Sequence, residues 1–153
     1  MKHEGKPENT DCNIQLTPQE VTARPGETVS IAYSGNVWSR SGCPGCIDQV
    51  VFGVEDEPFP CVYNGIPGVY PGEAFKGNLT FKAPSTPGTY HIFGVVASQY
   101  GCPEAMEWYR RHPELRFQLG TLTVQPLPPA PKVAWPLLLA PIILGAVLIG
   151  ISR

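Results

Sequence analysis

The chain has 153 residues, a formal net charge of −2, only 16% charged residues, and 16 glycines and 18 prolines. Near-neutrality excludes a nucleic-acid binder, which needs a basic face to displace counterions from phosphate. The same balance argues against a disordered acidic tail, and of the 42% hydrophobic content part sits in one terminal block.

Residues 1–11 are polar, lack the apolar core of a signal peptide and read as a flexible N-terminus. From residue 12 the pattern alternates. Cys12, Ile14 and Leu16 share one face and Asn13, Gln15 and Thr17 the other, the period of a half-buried strand. Pro25-Gly26 marks a turn. A second strand follows, with Val29, Ile31 and Tyr33 alternating with Thr28, Ser30 and Ala32. Residues 47–54 form a third, rich in β-formers, with Val50, Phe52 and Val54 on one side. After the acidic turn at residues 55–58, a short strand is expected at 61–63, and residues 64–72 read as loop.

Residues 75–82 give a clean alternation, Phe75, Leu79 and Phe81 against Lys76, Asn78, Thr80 and Lys82. Residues 89–97 are apolar on both faces and therefore central. The last strand, about 115–124, changes phase at Gly120, where a β-bulge would absorb the extra residue. The one helical segment is 103–111, with Pro103 at its first position and His112-Pro113 as its stop, expected to cap one end of the sheets. Six or seven short strands and no long amphipathic helix define an all-β sandwich or barrel.

Two runs carry a resemblance. Pro25-Gly26-Glu27-Thr28-Val29-Ser30-Ile31 resembles the second strand of immunoglobulin-like modules on microbial surface proteins. Ala83-Pro84-Ser85-Thr86-Pro87-Gly88-Thr89-Tyr90 resembles their turn into the penultimate strand, and residues 119–124 would be the closing strand. The resemblance spans residues 12–125 and implies an antiparallel immunoglobulin-like β-sandwich. The segment Cys43-Pro-Gly-Cys46 and the helical insert at 101–114 depart from it.

Residues 126–133 are proline-rich and read as an extended stalk. Residues 134–151 are uncharged and mostly apolar, about 27 Å at 1.5 Å per residue, enough to cross a hydrocarbon core, and place a transmembrane helix at 134–152. Lys132 and Arg153 bracket the segment and Trp135 suits an interface. The expectation is a single-pass membrane helix with the domain outside the cell, which requires a hydrophobic leader upstream of Met1. Lipid-anchor processing of the same tail is the alternative.

Five cysteines, Cys12, Cys43, Cys46, Cys61 and Cys102, suit disulfides in such a domain. An immunoglobulin-like order would bring the loops holding Cys43, Cys46 and Cys102, and the start of the first strand, to one end. That implies a bridge from Cys43 or Cys46 to Cys102. Either Cys61 takes the remaining partner and Cys12 is odd, or Cys12 pairs and Cys61 is free. Competing chemistry is a zinc site on Cys43, Cys46, Cys61 and Cys102, a redox Cys43-Pro-Gly-Cys46, or copper at His91, Cys102, Met106 and His112. The zinc reading lacks a second Cys-x-x-Cys, the redox reading lacks a helix start, and the copper reading lacks a histidine between Cys102 and Met106. Glu55-Asp56-Glu57 could ligate calcium but reads first as a solvated turn.

Asn78-Leu79-Thr80 is a glycosylation sequon on a polar strand face. Trp38, Tyr100, Trp108 and Tyr109 would form an aromatic surface at the loop end or cover the end of the core. No catalytic arrangement and no phosphate loop is present, so neither enzyme activity nor a cofactor is expected. The sequence thus points to a membrane-anchored extracellular module that binds a protein or carbohydrate, with a tethered metal or redox domain as the alternative.

Overall fold

The computed structural model describes residues 2–5, 10–40 and 47–129. Among these residues ten strands, one α-helix and a 3-10 turn follow in order: β1 (Lys2–Gly5), β2 (Thr10–Thr17), β3 (Glu20–Ala23), β4 (Thr28–Ser39), β5 (Asp48–Val54), β6 (Glu57–Pro58), β7 (Tyr63–Gly65), β8 (Glu73–Lys82), β9 (Gly88–Ala97), α1 (Cys102–Arg111), the 3-10 turn Pro113–Leu115 and β10 (Phe117–Val124). One sheet has the order β1-β2-β4-β8. The other runs β3-β10-β9-β5-β6, with β7 also on β5. All pairings are antiparallel except β3 with β10.

The core lies between the sheets. Ile14, Leu16, Ile31 and Val37 from the first face Val50, Phe52, Ile92 and Leu122 from the second, none more than 4% exposed. Each such side chain contributes about 1.5–3 kcal/mol by leaving water. The all-β sandwich expected from two-residue periodicity is therefore present. The bulge in the last strand falls between Gln118 and Gly120.

Several features differ from the sequence reading. Residues 1–11, expected to be flexible, contribute β1, which pairs with Thr10–Asn13; four polar residues carry no periodicity by which to find a strand. β3 is likewise short. After Thr17-Pro18 the chain leaves the first sheet, and β3 lies parallel to β10, with the Thr121 amide donating to the Gln19 carbonyl at 2.8 Å. The acidic turn is tighter than expected. Glu57–Pro58 pairs back on Gly53–Val54, leaving Glu55-Asp56 as a two-residue hairpin loop, and Glu55 takes the positive φ (50°) that such loops demand.

The helix spans its expected residues but does not cap an end of the sandwich. Ala105 and Tyr109 pack on Val51, Val95 and Ala97, forming a second small core on the outer face of β5 and β9. This third layer explains why β5 is buried at all seven positions and why residues 89–97 are apolar on both sides. The proposed membrane segment, 134–152, and the second half of the stalk, 130–133, lie outside the described residues. Among those described, no helix is long and apolar enough to cross a membrane.

Candidate functional site

Cross-strand register defines the two ends of the sandwich. Thr10 pairs with Ser39, Asp48 with Gly65, and Gln49 with Ala97. The start of β2, the end of β4, the start of β5 and the end of β9 thus meet at one end. Val124 pairs with Gly88 at the other. β9 spans the distance between them, about 30 Å at roughly 3.3 Å per residue.

Buried polar groups brace the first of these ends. The Gln49 amide donates to Asn64 Oδ1 and to the Gln99 carbonyl, both at 3.0 Å, and accepts from the Gln99 amide at 2.8 Å. Ser98 Oγ donates to Asp48 Oδ1 at 2.5 Å and lies 3.3 Å from Thr10 Oγ1, which links the two sheets. Asp48 is fully buried and its Oδ2 has no hydrogen-bond partner. Burial raises its pKa, partly offset by the hydroxyls of Ser98 and Thr10.

On this frame sit exposed apolar side chains. Ile47, Ile66, Val69, Tyr70 and Tyr100 are 42%, 55%, 60%, 73% and 97% exposed. Ile47 and Ile66 flank the Asp48–Gly65 pair, and Tyr100 follows Gln99. The loop bearing Val69 and Tyr70 is pinned by the Ser39 amide donating to the Gly68 carbonyl at 2.7 Å and the Gly72 amide to the Val69 carbonyl at 2.8 Å. Gly72 has φ +72° and lies against the Val37 carbonyl and Trp38, so a side chain there would collide with backbone. Tyr70 sits edge-on to Trp38, centroids 5.2 Å apart.

The four aromatic candidates from the sequence separate. Tyr100 is exposed. Trp38 is 8% exposed, sealed under Tyr70. Tyr109 is wholly buried and belongs to the helix core, not to a surface. Trp108 is half-buried and stacks on His112 at 3.9 Å. Ile47 was read as the start of a strand, and Ile66, Val69 and Tyr70 were missed, although apolar residues inside a glycine- and proline-rich loop are a signal that they lack a core to enter.

The cysteine pairing also differs from the one implied by the resemblance. Cys102 is bonded to Cys61, not to Cys43 or Cys46, with Cα atoms 5.7 Å apart. The helix lies on the outer face of the sheet beside the loop after β6, and that places Cys102 next to Cys61. Cys12 is free and buried; burial, then the neighbouring Asp11 carboxylate, push its thiol pKa far above the ordinary range. Cys43 and Cys46 lie outside the described residues. With Cys61 and Cys102 joined, the four-thiolate zinc set and the copper set each lose the sulfur ligands they require. His91 instead holds Glu55 Oε1 through its amide (2.6 Å) and Nδ1 (3.1 Å), and His112 Nδ1 lies 2.9 Å from Glu114. Met106 packs against the helix core. Among the described residues no three His, Cys, Asp or Glu side chains gather into a metal site.

The helix is locked at both ends. The disulfide fixes its start. Near its end Tyr109 donates to the Glu55 carbonyl at 2.7 Å, and Arg116 Nη1 donates to the same carbonyl at 3.1 Å and to Asp56 at 2.7 Å while its guanidinium covers the Tyr109 ring at 4.2 Å. Glu55 and Asp56 of the acidic turn thus serve this lock. Asn78 is exposed on β8, an edge strand, opposite the small Ala32.

Compared with protein families and with curated proteins, the chain matches none. Among solved structures it aligns with a CARDB domain from Pyrococcus furiosus, crystallised in complex with di-metal ions, at 14% identity and a TM-score of 0.37, covering 78% of this chain and 94% of that one. The di-metal ions belong to that domain.

Proposed function

We propose that the chain is an extracellular, immunoglobulin-like recognition module, held to a membrane by its C-terminal apolar segment and acting by binding rather than catalysis. One observation carries the reading. The exposed cluster of Ile47, Ile66, Val69, Tyr70 and Tyr100 lies at the end of the sandwich opposite Val124, so a domain tethered through residue 125 presents that cluster away from the tether. Apolar exposure at one end of a braced frame suits recognition of a protein or carbohydrate. The Cys61–Cys102 bond supports an oxidising compartment, and the exposed Asn78 sequon supports a glycoprotein.

The test is external protease on intact cells making the full chain. Release of a domain fragment with the Cys61–Cys102 bond intact is expected. A fragment protected from protease, or with both thiols free, overturns the reading.

A further inference from the structure

At the end of the sandwich from which the stalk departs, the core opens between the two sheets. Register fixes that end: Val124 pairs with Gly88, Leu122 with Tyr90, and Lys82 with Thr28. A groove of about 480 Å³ lies there, where the chain after β6 meets the end of β8, a size within the roughly 300–1,000 Å³ of ordinary ligand sites. Val54 and Phe81, both 8% exposed, form its floor, and Phe59, Pro84 and Tyr90 its walls. The walls are set before anything binds. Phe59 stacks on Phe81 at 5.0 Å and its amide donates to the Phe52 carbonyl at 2.7 Å, while the Tyr90 hydroxyl donates to the Thr86 carbonyl at 2.8 Å. The acidic turn supplies one lip and Lys82 the other. His91 holds Glu55 and Arg116 holds Asp56. Glu57 is exposed, and among the described residues no ion pair engages its carboxylate, so it is the lip charge open to a cation.

We propose that this groove takes the proline-rich stalk of a second copy of the chain, with Leu127 and Pro128 between Phe59 and Tyr90 and Lys132 on Glu57. Residues 125–132 read Gln-Pro-Leu-Pro-Pro-Ala-Pro-Lys. Each proline fixes its own φ and extends the residue before it, which gives a polyproline II run. Aromatic-lined grooves take such runs because little entropy is lost in ordering them. At three residues per turn, Leu127 and Ala130 share one edge, Pro128 and Pro131 the next, and Lys132 the third. Lys82 bars a cation from its own lip, so the base of the stalk belongs on Glu57. The stalk does not enter its own groove: residues 125–129 are exposed, Leu127 by 63%. The Gln125 amide is tied to the Ala23 carbonyl of β3 at 2.9 Å, and β3 flanks β10 on the side away from β9, β5 and β6. The stalk therefore leaves along the edge opposite the groove, toward a neighbour. This contact goes beyond recognition at the distal end and rests on the membrane tether of that reading. Two copies anchored in one membrane hold groove and stalk at the same height, and confinement raises the effective concentration of each for the other.

The experiment uses the full chain in phosphatidylcholine vesicles. One copy carries a benzophenone amino acid in place of Ala130 and one affinity tag, and a second copy keeps Ala130 and carries a different tag. The two are mixed and irradiated, and adducts joining the tags are mapped by mass spectrometry. The adduct is expected on Phe59 or within residues 81–90 of the second copy. Leu127→Ser in the donor of the stalk lowers the yield about tenfold, the loss expected for one leucine returned to water. Glu57→Lys in the acceptor lowers it about threefold, in the range of an exposed ion pair, and Lys132→Glu in the donor restores it. Both Leu127 and Glu57 are exposed, so neither variant disturbs the core. Adducts confined to one copy, adducts elsewhere on the second, or yields unmoved by either variant in chains that still melt cooperatively overturn the proposal. A chain that floats with the vesicles yet gives no adduct at the groove sinks this inference alone. A chain that does not float sinks it together with the tether.

Discussion

The Tyr109 hydroxyl reaches across 54 residues of sequence to the Glu55 carbonyl at 2.7 Å, and that contact explains how a helix can stay on the outside of a sheet. Gly53 makes room for it: a methyl group there would collide with the phenol. The Glu55 backbone, at a φ disfavoured for a residue with a side chain, is held by this bond, by Arg116 and by its own carboxylate on His91. Tyr109→Phe should cost about 1 kcal/mol, read as a lower denaturant midpoint with unchanged slope. Gly53→Ala should cost more, because the ring or the strand must move.

Breaking the bridge should do more than either. Cys61→Ser with Cys102→Ser removes a cross-link between positions 41 apart in sequence, worth about 4 kcal/mol in the chain-entropy account. Hydrogen exchange should then rise first in Cys102–Arg111, while the interior of β4 stays protected.

Cys12 should be chemically silent. Its sulfur is buried and its pKa raised, and the thiolate is the nucleophile. Iodoacetamide should leave Cys12 unlabelled in the native chain and label it at the rate of global unfolding; fast labelling at neutral pH would contradict the packing.

Asp48 sets a pH dependence of definite sign. Its folded pKa lies above the ordinary value of 3.8, chiefly because burial penalises the charge. The folded state therefore holds this proton more tightly than the unfolded chain. Its contribution to stability is complete below about pH 4 and is lost as pH rises through the folded pKa. Asp48→Asn should accordingly raise the melting temperature at pH 7 and make little difference near pH 4. Glu107 and Glu114, held down by Arg111 and His112, act in the opposite sense and are common to both proteins, so the difference isolates Asp48.

The sandwich was legible wherever a strand was long and half-buried. The alternations at 12–17, 28–33 and 75–82 each became a strand with its apolar side on the core, and Gly120 marked the bulge. Residues 89–97 revealed two buried faces but not what covered the second one. Helix Cys102–Arg111 was found from Pro103 and His112-Pro113, yet its seat depended on Gly53, Tyr109 and Arg116, contacts that no local pattern encodes. The same holds for the cysteines, whose partners were set by where the helix lies. Strands of two to four residues such as Glu57–Pro58 and Glu20–Ala23 exist because neighbours offer them hydrogen bonds. At the candidate site, Trp38 and Tyr100, expected together at one end, both lie at the end where Thr10 pairs with Ser39 and Gln49 with Ala97. The exposed residues of the 66–70 loop went unread because glycine and proline there suggested only a connection.

The parallel pairing of Glu20–Ala23 with Phe117–Val124, closed by the Gln125 amide on the Ala23 carbonyl at 2.9 Å, has a mechanical consequence. A pull on the chain beyond Gln125, resisted by a partner gripping the opposite end, drags the last strand lengthwise past two neighbours. The rungs on both sides are then loaded together in shear and must yield at once. Such a domain transmits force as a tie rod does, and its ladder does not open one rung at a time.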